Sequence, residues 1–353
     1  SLLKSNNIPY FCFDKKINIK YLYDRSHLIS KKFKNQKVIY YFLRIFEKTF
    51  EYFSIKIKAP IYSKLISSND VVIFGRVETA LEFLPYIKKA KKIIVREAIH
   101  LEWHKNKSKI KKYFPKKVDV FIVSSEENKK SYESFFDKSQ GDKIKIMKIY
   151  NPLAIKPKSE KNSDNKNIIS VGRYDTHKGY DFLIRSFKIV HQHHPEWHLK
   201  IVGDGYYKDK MKNLINELNL NDCVFLVPPT KDVVGELNNS EIYVMSSRFE
   251  GYANALVEAM SCGLACVSYN WLMGVEDIIN DNKNGIIVPL ADRYRYFSTL
   301  DIIEEDIVNL ASSINKLIEN KDLRDKEGKE AKKIAISRDK EQIIKKWLKL
   351  IEE

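Results

Sequence analysis

From residue 70 onward the apolar positions fall into short runs separated by longer stretches of helical spacing. The runs Val71-Val72-Ile73-Phe74, Lys92-Ile93-Ile94-Val95, Val118-Asp119-Val120-Phe121-Ile122-Val123 and Ile144-Lys145-Ile146-Met147 predict strands, with helices near 77–90, 104–113 and 125–136 between them. Asn151-Pro152-Leu153 and the polar stretch 156–165 follow and read as an interdomain linker. A second series places strands at 168–171, 199–202, 224–226, 241–245, 265–268 and 285–288. Its helices run from Lys178-Gly179 to about Val190, over 206–219, and over 254–260. Apolar strands alternating with helices predict parallel sheets covered on both faces, hence two doubly wound α/β domains in tandem. Ahead of both, Tyr41, Phe42, Ile45, Phe46, Phe50 and Phe53 recur at three- and four-residue spacing within the basic stretch 31–58, predicting an amphipathic helix.

Length agrees with this division, since 353 residues suit two α/β domains better than one core. Charge changes the picture more. The formal net charge is +16, yet residues 1–155 hold 33 Lys and Arg against 15 Asp and Glu, and residues 156–353 hold 29 against 31. The basic half predicts an anionic partner: a phospholipid surface, a lipid phosphate or a nucleic acid. Cys12, Cys223, Cys262 and Cys266 form no C-x-x-C pair and read as small core residues of a cytoplasmic protein. No run of 18 apolar residues is present to cross a bilayer. The chain begins on Ser1 rather than Met, so its native start is expected upstream.

The chemistry gathers on residues 246–260. Here a strand runs into Glu250 and the turn at Gly251, and a short helix beginning near Ala253, Asn254 and Ala255 carries Glu258. The first N–H groups of such a helix lack intrahelical partners and suit a phosphate. Glu258, one turn past Asn254, stands among Leu256, Val257, Ala259 and Met260, where a carboxylate needs a partner. Arg173 and Lys178 flank the turn after the first strand of the second series, and Gly203-Asp204-Gly205 follows the next strand. In a parallel sheet those strand ends line the ligand crevice, so both cations are placed for a pyrophosphate. His100 and His104, four apart, lack a third metal ligand, and His191, His193 and His194 read as solvated or capping at a helix end.

Over residues 165–290 this pattern resembles the retaining GT-B glycosyltransferases of family 4, of the bacterial surface-polysaccharide type. The residues that carry the resemblance are Val171-Gly172-Arg173, Lys178-Gly179, Gly203-Asp204-Gly205, Ser247-Arg248-Phe249-Glu250-Gly251, Asn254-Ala255-Leu256-Val257-Glu258-Ala259, Cys262-Gly263-Leu264 and Asn284-Gly285. The resemblance implies two facing Rossmann-like doubly wound domains: residues 1–152 on the acceptor side, without the family's first strand and Gly-rich loop, and 165–335 for the nucleotide-sugar donor. Residues 336–353 would be a helix crossing back to the first domain. By the same resemblance Arg173, Lys178 and Glu250 are catalytic, and Gly172, Gly203, Gly205, Gly251, Asn254, Ala255, Leu256 and Glu258 bind the donor. Arg96, Glu97 and His100 fall on the acceptor side. The implied reaction moves a hexose or N-acetylhexosamine from a UDP-linked sugar to a glycan or polyprenyl-diphosphate-linked acceptor, with retained configuration and no metal or cofactor. The implied site of action is the cytoplasmic face of the plasma membrane, held peripherally by the basic half. Two rivals stand beside it: a catalytically inactive GT-B scaffold, and a basic nucleic-acid-binding protein, for which no binding motif is present.

Overall fold

The computed structural model describes residues 3–4, 23–24, 55–136, 144–157, 165–271, 274–291 and 303–353. The expectations for a helix over residues 31–54, for Cys12 and for the loop at 292–297 lie outside these residues. The chain divides into two compact units, one of Ser1–Glu97, Asn106–Phe121 and Lys138–Lys145, the other of Ala98–Lys105, Ile122–Asp137 and Ile146–Glu353. No helix among the described residues is long and apolar enough to cross a membrane.

Two short strands, β1 (Leu3–Lys4) and β2 (Tyr23–Asp24), pair in parallel. Residues 55–63 are helical (α1). Then come β3 (Val71–Phe74), α2 (Val77–Phe83), β4 (Lys92–Glu97), α3 (Lys107–Lys117), β5 (Val120–Val123), α4 (Glu126–Phe135) and β6 (Lys145–Lys148). Strands β3 to β6 form one sheet in sequence order, with β3 and β4 parallel. α2 is half the length its periodicity predicts, because Pro85 has no N–H with which to continue the helical hydrogen bonds past Leu84. The helix expected at 104–113 lies further on, as α3. Ahead of it His100 and His104 cap a 3₁₀ turn, Leu101–Trp103, and His100 Nδ1 accepts from the Glu102 N–H at 3.2 Å.

The larger unit holds β7 (Asn167–Val171), α5 (Tyr180–His193), β8 (His198–Val202), α6 (Lys208–Glu217), β9 (Val224–Val227), α7 (Val233–Asn238), β10 (Ile242–Met245), α8 (Asn254–Ser261), β11 (Ala265–Tyr269), β12 (Ile286–Val288), α9 (Glu304–Glu319), α10 (Lys321–Ile336) and α11 (Lys340–Glu352). Its six strands are parallel and ordered β12-β11-β10-β7-β8-β9. β10 and β11 are buried along their whole length, as strands covered on both faces must be. One core packs Phe182, Phe187, Leu310 and Ile314 with Ile168, Leu199 and Val244, and the other packs Leu256, Met260 and Ala331 with Ile169, Tyr243 and Cys266. Cys223, Cys262 and Cys266 are buried thiols rather than disulfide partners. Because β8 and β9 lie to one side of β7 while β10 to β12 lie to the other, the strand order reverses between β7 and β10. A ligand crevice opens at such a reversal.

The second core carries one carboxylate at a cost. Glu327 on α10 is fully buried, and neither of its oxygens has a hydrogen-bond partner among the described residues. Burial, reinforced by Asp281 and offset by Lys316 and Lys326, pushes its carboxyl up to about 7. An acid held more firmly by its proton when folded loses stability as pH rises from the unfolded value, 4.5, through 7. The full loss above that range is at most about 3 kcal/mol. Glu327→Gln is therefore expected to raise Tm by several degrees at pH 8 and little at pH 5. Equal shifts at the two pH values in thermal melts would count against this assignment.

Candidate active site at the reversal of strand order

β7 ends at Val171, and the chain crosses the carboxyl edge through Gly172, Arg173 and a 3₁₀ turn, Thr176–Lys178, before α5 begins. Asp175 caps that turn: buried, it accepts from the N–H groups of His177 (3.1 Å) and Lys178 (3.3 Å) through one oxygen. Its other oxygen takes Arg173 Nε at 2.7 Å, which leaves the guanidinium 74% exposed but aimed. Gly179 closes the turn at φ +61°, and a Cβ there would overlap the Ser246 carbonyl oxygen. Gly203 is as constrained, since a side chain on it would overlap the Gly172 carbonyl. Gly172 donates its N–H to Val202 O at 3.0 Å, and Tyr174 donates to Asp204 O at 2.9 Å, so the loops after β7 and β8 run side by side, with Gly205 packed against the Tyr174 backbone.

The second wall follows β10. Ser246 Oγ donates to Lys178 O at 3.0 Å, the Arg248 N–H to His177 O at 2.8 Å, and Arg248 Nη1 to Thr176 O at 2.8 Å. Arg248 is 1% exposed and forms a two-pronged pair with Asp181 at 2.9 and 2.7 Å over the Phe182 ring. This clamp brings Lys178 Nζ to 2.6 Å from Glu250 Oε1, the oxygen that also accepts from Ser247 Oγ at 2.6 Å. An ammonium has three N–H donors and a carboxylate about four acceptor positions, so both groups keep capacity for a ligand. Phe249 and His177, the immediate neighbours of the pair, meet at 4.2 Å between ring centroids, and Trp103 packs edge-on to Phe249 at 4.1 Å.

Gly251 lies in the turn after Glu250, its carbonyl accepting from Ser124 Oγ at 3.2 Å. α8 then starts at Asn254, with Ala255 partly buried against the second core, Leu256 buried in it, and no side chain capping the helix. Asn254 Oδ1 accepts from Asn151 Nδ2 at 2.9 Å. Glu258, one turn on, borders a small hollow shared with Asn151, Pro152, Leu153 and Tyr252. Burial raises its carboxyl above the ordinary value, and no hydrogen-bond partner reaches it among the described residues. The structure thus brings Arg173, Lys178, Glu250, Gly172, Gly203, Gly205, Gly251, Asn254 and Glu258 to one edge of one sheet. His100 belongs to the same unit, in its 3₁₀ turn. Arg96 and Glu97 end β4 in the other unit, where buried Glu97 accepts from the Val77 N–H at the start of α2 (3.0 Å). Sequence reading left Arg248, Asp181 and Asp175 without roles. The available signal was an Arg and an Asp in otherwise apolar surroundings, each of which requires a partner.

Two parallel-sheet α/β units, with cations and a paired acid at the order reversal of one sheet, are the construction of the GT-B class of glycosyltransferases. The fold matches that of the pneumococcal O-GlcNAc transferase GtfA in complex with UDP and GlcNAc, with a TM-score of 0.67 at 20% identity over 85% of this chain and 59% of that one. The glycosyl transferases group 1 family matches residues 153–334, just over half of the chain, and the chain belongs to that family. It is 36% identical over 266 residues to an uncharacterized glycosyltransferase of Methanocaldococcus jannaschii, covering 68% of this chain and 65% of the relative. It is 29% identical over 206 residues to the N-acetylgalactosamine-N,N'-diacetylbacillosaminyl-diphospho-undecaprenol 4-alpha-N-acetylgalactosaminyltransferase of Campylobacter jejuni, covering 57% and 54%. The chain thus spans less than two-thirds of the length of these curated relatives.

Proposed function

We propose that this chain is a retaining family 4 hexosyltransferase, moving a hexose or N-acetylhexosamine from a UDP-linked sugar to a lipid-linked or polysaccharide acceptor. The observation that carries this reading is the Lys178–Glu250 pair at 2.6 Å, held where the strand order reverses. In the reaction, the bond from the anomeric carbon to the diphosphate oxygen breaks and the acceptor oxygen takes its place. The acceptor's hydroxyl proton leaves with the departing diphosphate. Negative charge builds on that diphosphate, and Arg173, the free N–H groups of Lys178 and the first amides of α8 stabilise it without a metal or cofactor. Glu250 accepts from sugar hydroxyls through the capacity that Lys178 and Ser247 leave, and Glu258 accepts from the ribose hydroxyls. Arg96, Glu97 and His100 complete the proposal on the acceptor side.

The UDP in the pneumococcal neighbour and the undecaprenyl diphosphate in the name of the C. jejuni relative support this donor and acceptor. The excess of Lys and Arg in residues 1–155 supports a peripheral place on an anionic membrane face, where such an acceptor resides. A thermal-shift screen of UDP, GDP and ADP sugars tests the donor. A UDP sugar at 100 times its Kd is expected to add about 2.7 kcal/mol of stability. Release of UDP with polyprenyl-diphosphate-linked glycans then tests the acceptor. Indifference to every nucleotide sugar would end the donor reading, and UDP release unaffected by any lipid-linked glycan would end the acceptor reading.

A further inference from the structure

The family match stops just short of an arginine that the fold buries. Arg338 lies between α10 and α11, 3% exposed, and its carbonyl accepts from the Leu153 N–H at 3.0 Å. Its guanidinium stacks 3.6 Å from the centre of the Tyr150 ring, donates from Nη1 to the Tyr252 hydroxyl at 2.8 Å, and donates from Nη2 to the Asp277 carbonyl. The Asp277 carboxylate accepts in turn from Lys148 Nζ (2.7 Å), the Tyr150 hydroxyl (2.9 Å) and the Glu126 N–H (2.6 Å). One buried cation therefore joins three chain segments that are distant in sequence.

Tyr252 is the member with a chemical neighbour. It stands between Gly251 and Ala253, directly ahead of the first residue of α8, and no side chain caps that helix. The direction of its free amides depends on what holds residues 251–254. Three ties do so: Ser124 on the Gly251 carbonyl, Arg338 on the Tyr252 hydroxyl, and Asn151 on Asn254. We propose that Arg338 is a positioning residue for nucleotide binding, acting through Tyr252 to aim the amino terminus of α8 at the donor phosphates. This deepens the donor-site reading and rests on it. A planar fork that stacks on one ring while donating in two directions is specific to arginine, and lysine cannot reproduce it. Misplacement of a binding group by about 1 Å is enough to cost two orders of magnitude in rate.

The test is calorimetric titration of UDP into the full chain, with the apo Tm recorded alongside. Arg338→Lys and Arg338→Met are expected to weaken UDP binding about 10-fold. Tyr252→Phe is expected to weaken it less, and Tyr252→Phe in the Arg338→Lys background to add little, as a shared route requires. UDP affinity equal to wild type in Arg338→Lys and Tyr252→Phe overturns the proposal even where Tm falls, and so do strictly additive losses. If Arg338→Met does not fold, Arg338→Lys and Tyr252→Phe still decide it. Wild-type protein that binds none of UDP, GDP or ADP overturns the donor reading itself, a result distinct from unequal variants of a binding protein.

Discussion

Lys178→Ala is expected to lower turnover by about 10²–10³-fold while leaving the unliganded Tm nearly unchanged. The side chain is 22% exposed and its ammonium pairs with Glu250, itself 13% exposed, so removing it opens no large cavity and strands no fully buried charge. On the proposed function, what disappears is a cation preorganised for the leaving diphosphate, whose value is realised only as charge develops in the transition state. Glu250→Gln separates the two halves of the pair. It keeps the Ser247 hydrogen bond and the shape, removes the charge that orients Lys178, and should lower kcat more than it raises the donor KM. Steady-state rates with the donor identified by thermal shift check both. Full activity in Lys178→Ala would remove Lys178 from the catalytic role.

Arg248→Ala is expected to cost about 3–5 kcal/mol of stability, the largest loss foreseen for a single residue of the larger unit. Arg248 is 1% exposed, and its removal leaves Asp181, 11% exposed at the side chain, as a carboxylate deprived of both its hydrogen-bond donors. The loss includes the Thr176 carbonyl contact and the packing over Phe182. Because the same clamp joins the loop after β7 to the loop after β10, activity should fall with stability. Arg248→Met with Asp181→Asn replaces the ion pair by groups of similar size and should recover more than half of the lost stability. Chemical denaturation of the wild type, both single variants and the double variant gives the cycle. A single variant as stable as wild type would show that the pair has no clamping role.

Much of the fold is legible because its strands are apolar throughout. Ile242-Tyr243-Val244-Met245 and Ala265-Cys266-Val267-Ser268 read as fully buried strands, and both lie inside the sheet rather than at its edges. The helices went astray where local chemistry overrode periodicity. Pro85 ends α2 early, and the helix expected from residue 104 starts only at Lys107, after a 3₁₀ turn that His100 and His104 cap. α9 and α10 escaped notice because no strand separates them, and a single Asn320 ends one and caps the other.

The site shows the same division. Gly172, Lys178, Gly203 and Glu250 announce themselves by type and spacing, since a backbone that must approach a phosphate needs glycine and a leaving diphosphate needs a cation. Arg248 with Asp181, and Arg338 with Tyr252 and Asp277, could not be matched in sequence, because each pair is separated by 61 to 86 positions and any buried acid is a formal partner for any buried base. The amino-acid sequence by itself determined the alternation of elements, hence two α/β sheets, and the residue types able to hold a nucleoside diphosphate sugar. Only the tertiary structure decided that β7 and β10 are neighbours. Strand order is set by long-range packing between segments some 70 residues apart, which leaves no trace in local periodicity, and that adjacency is what brings Lys178 onto Glu250.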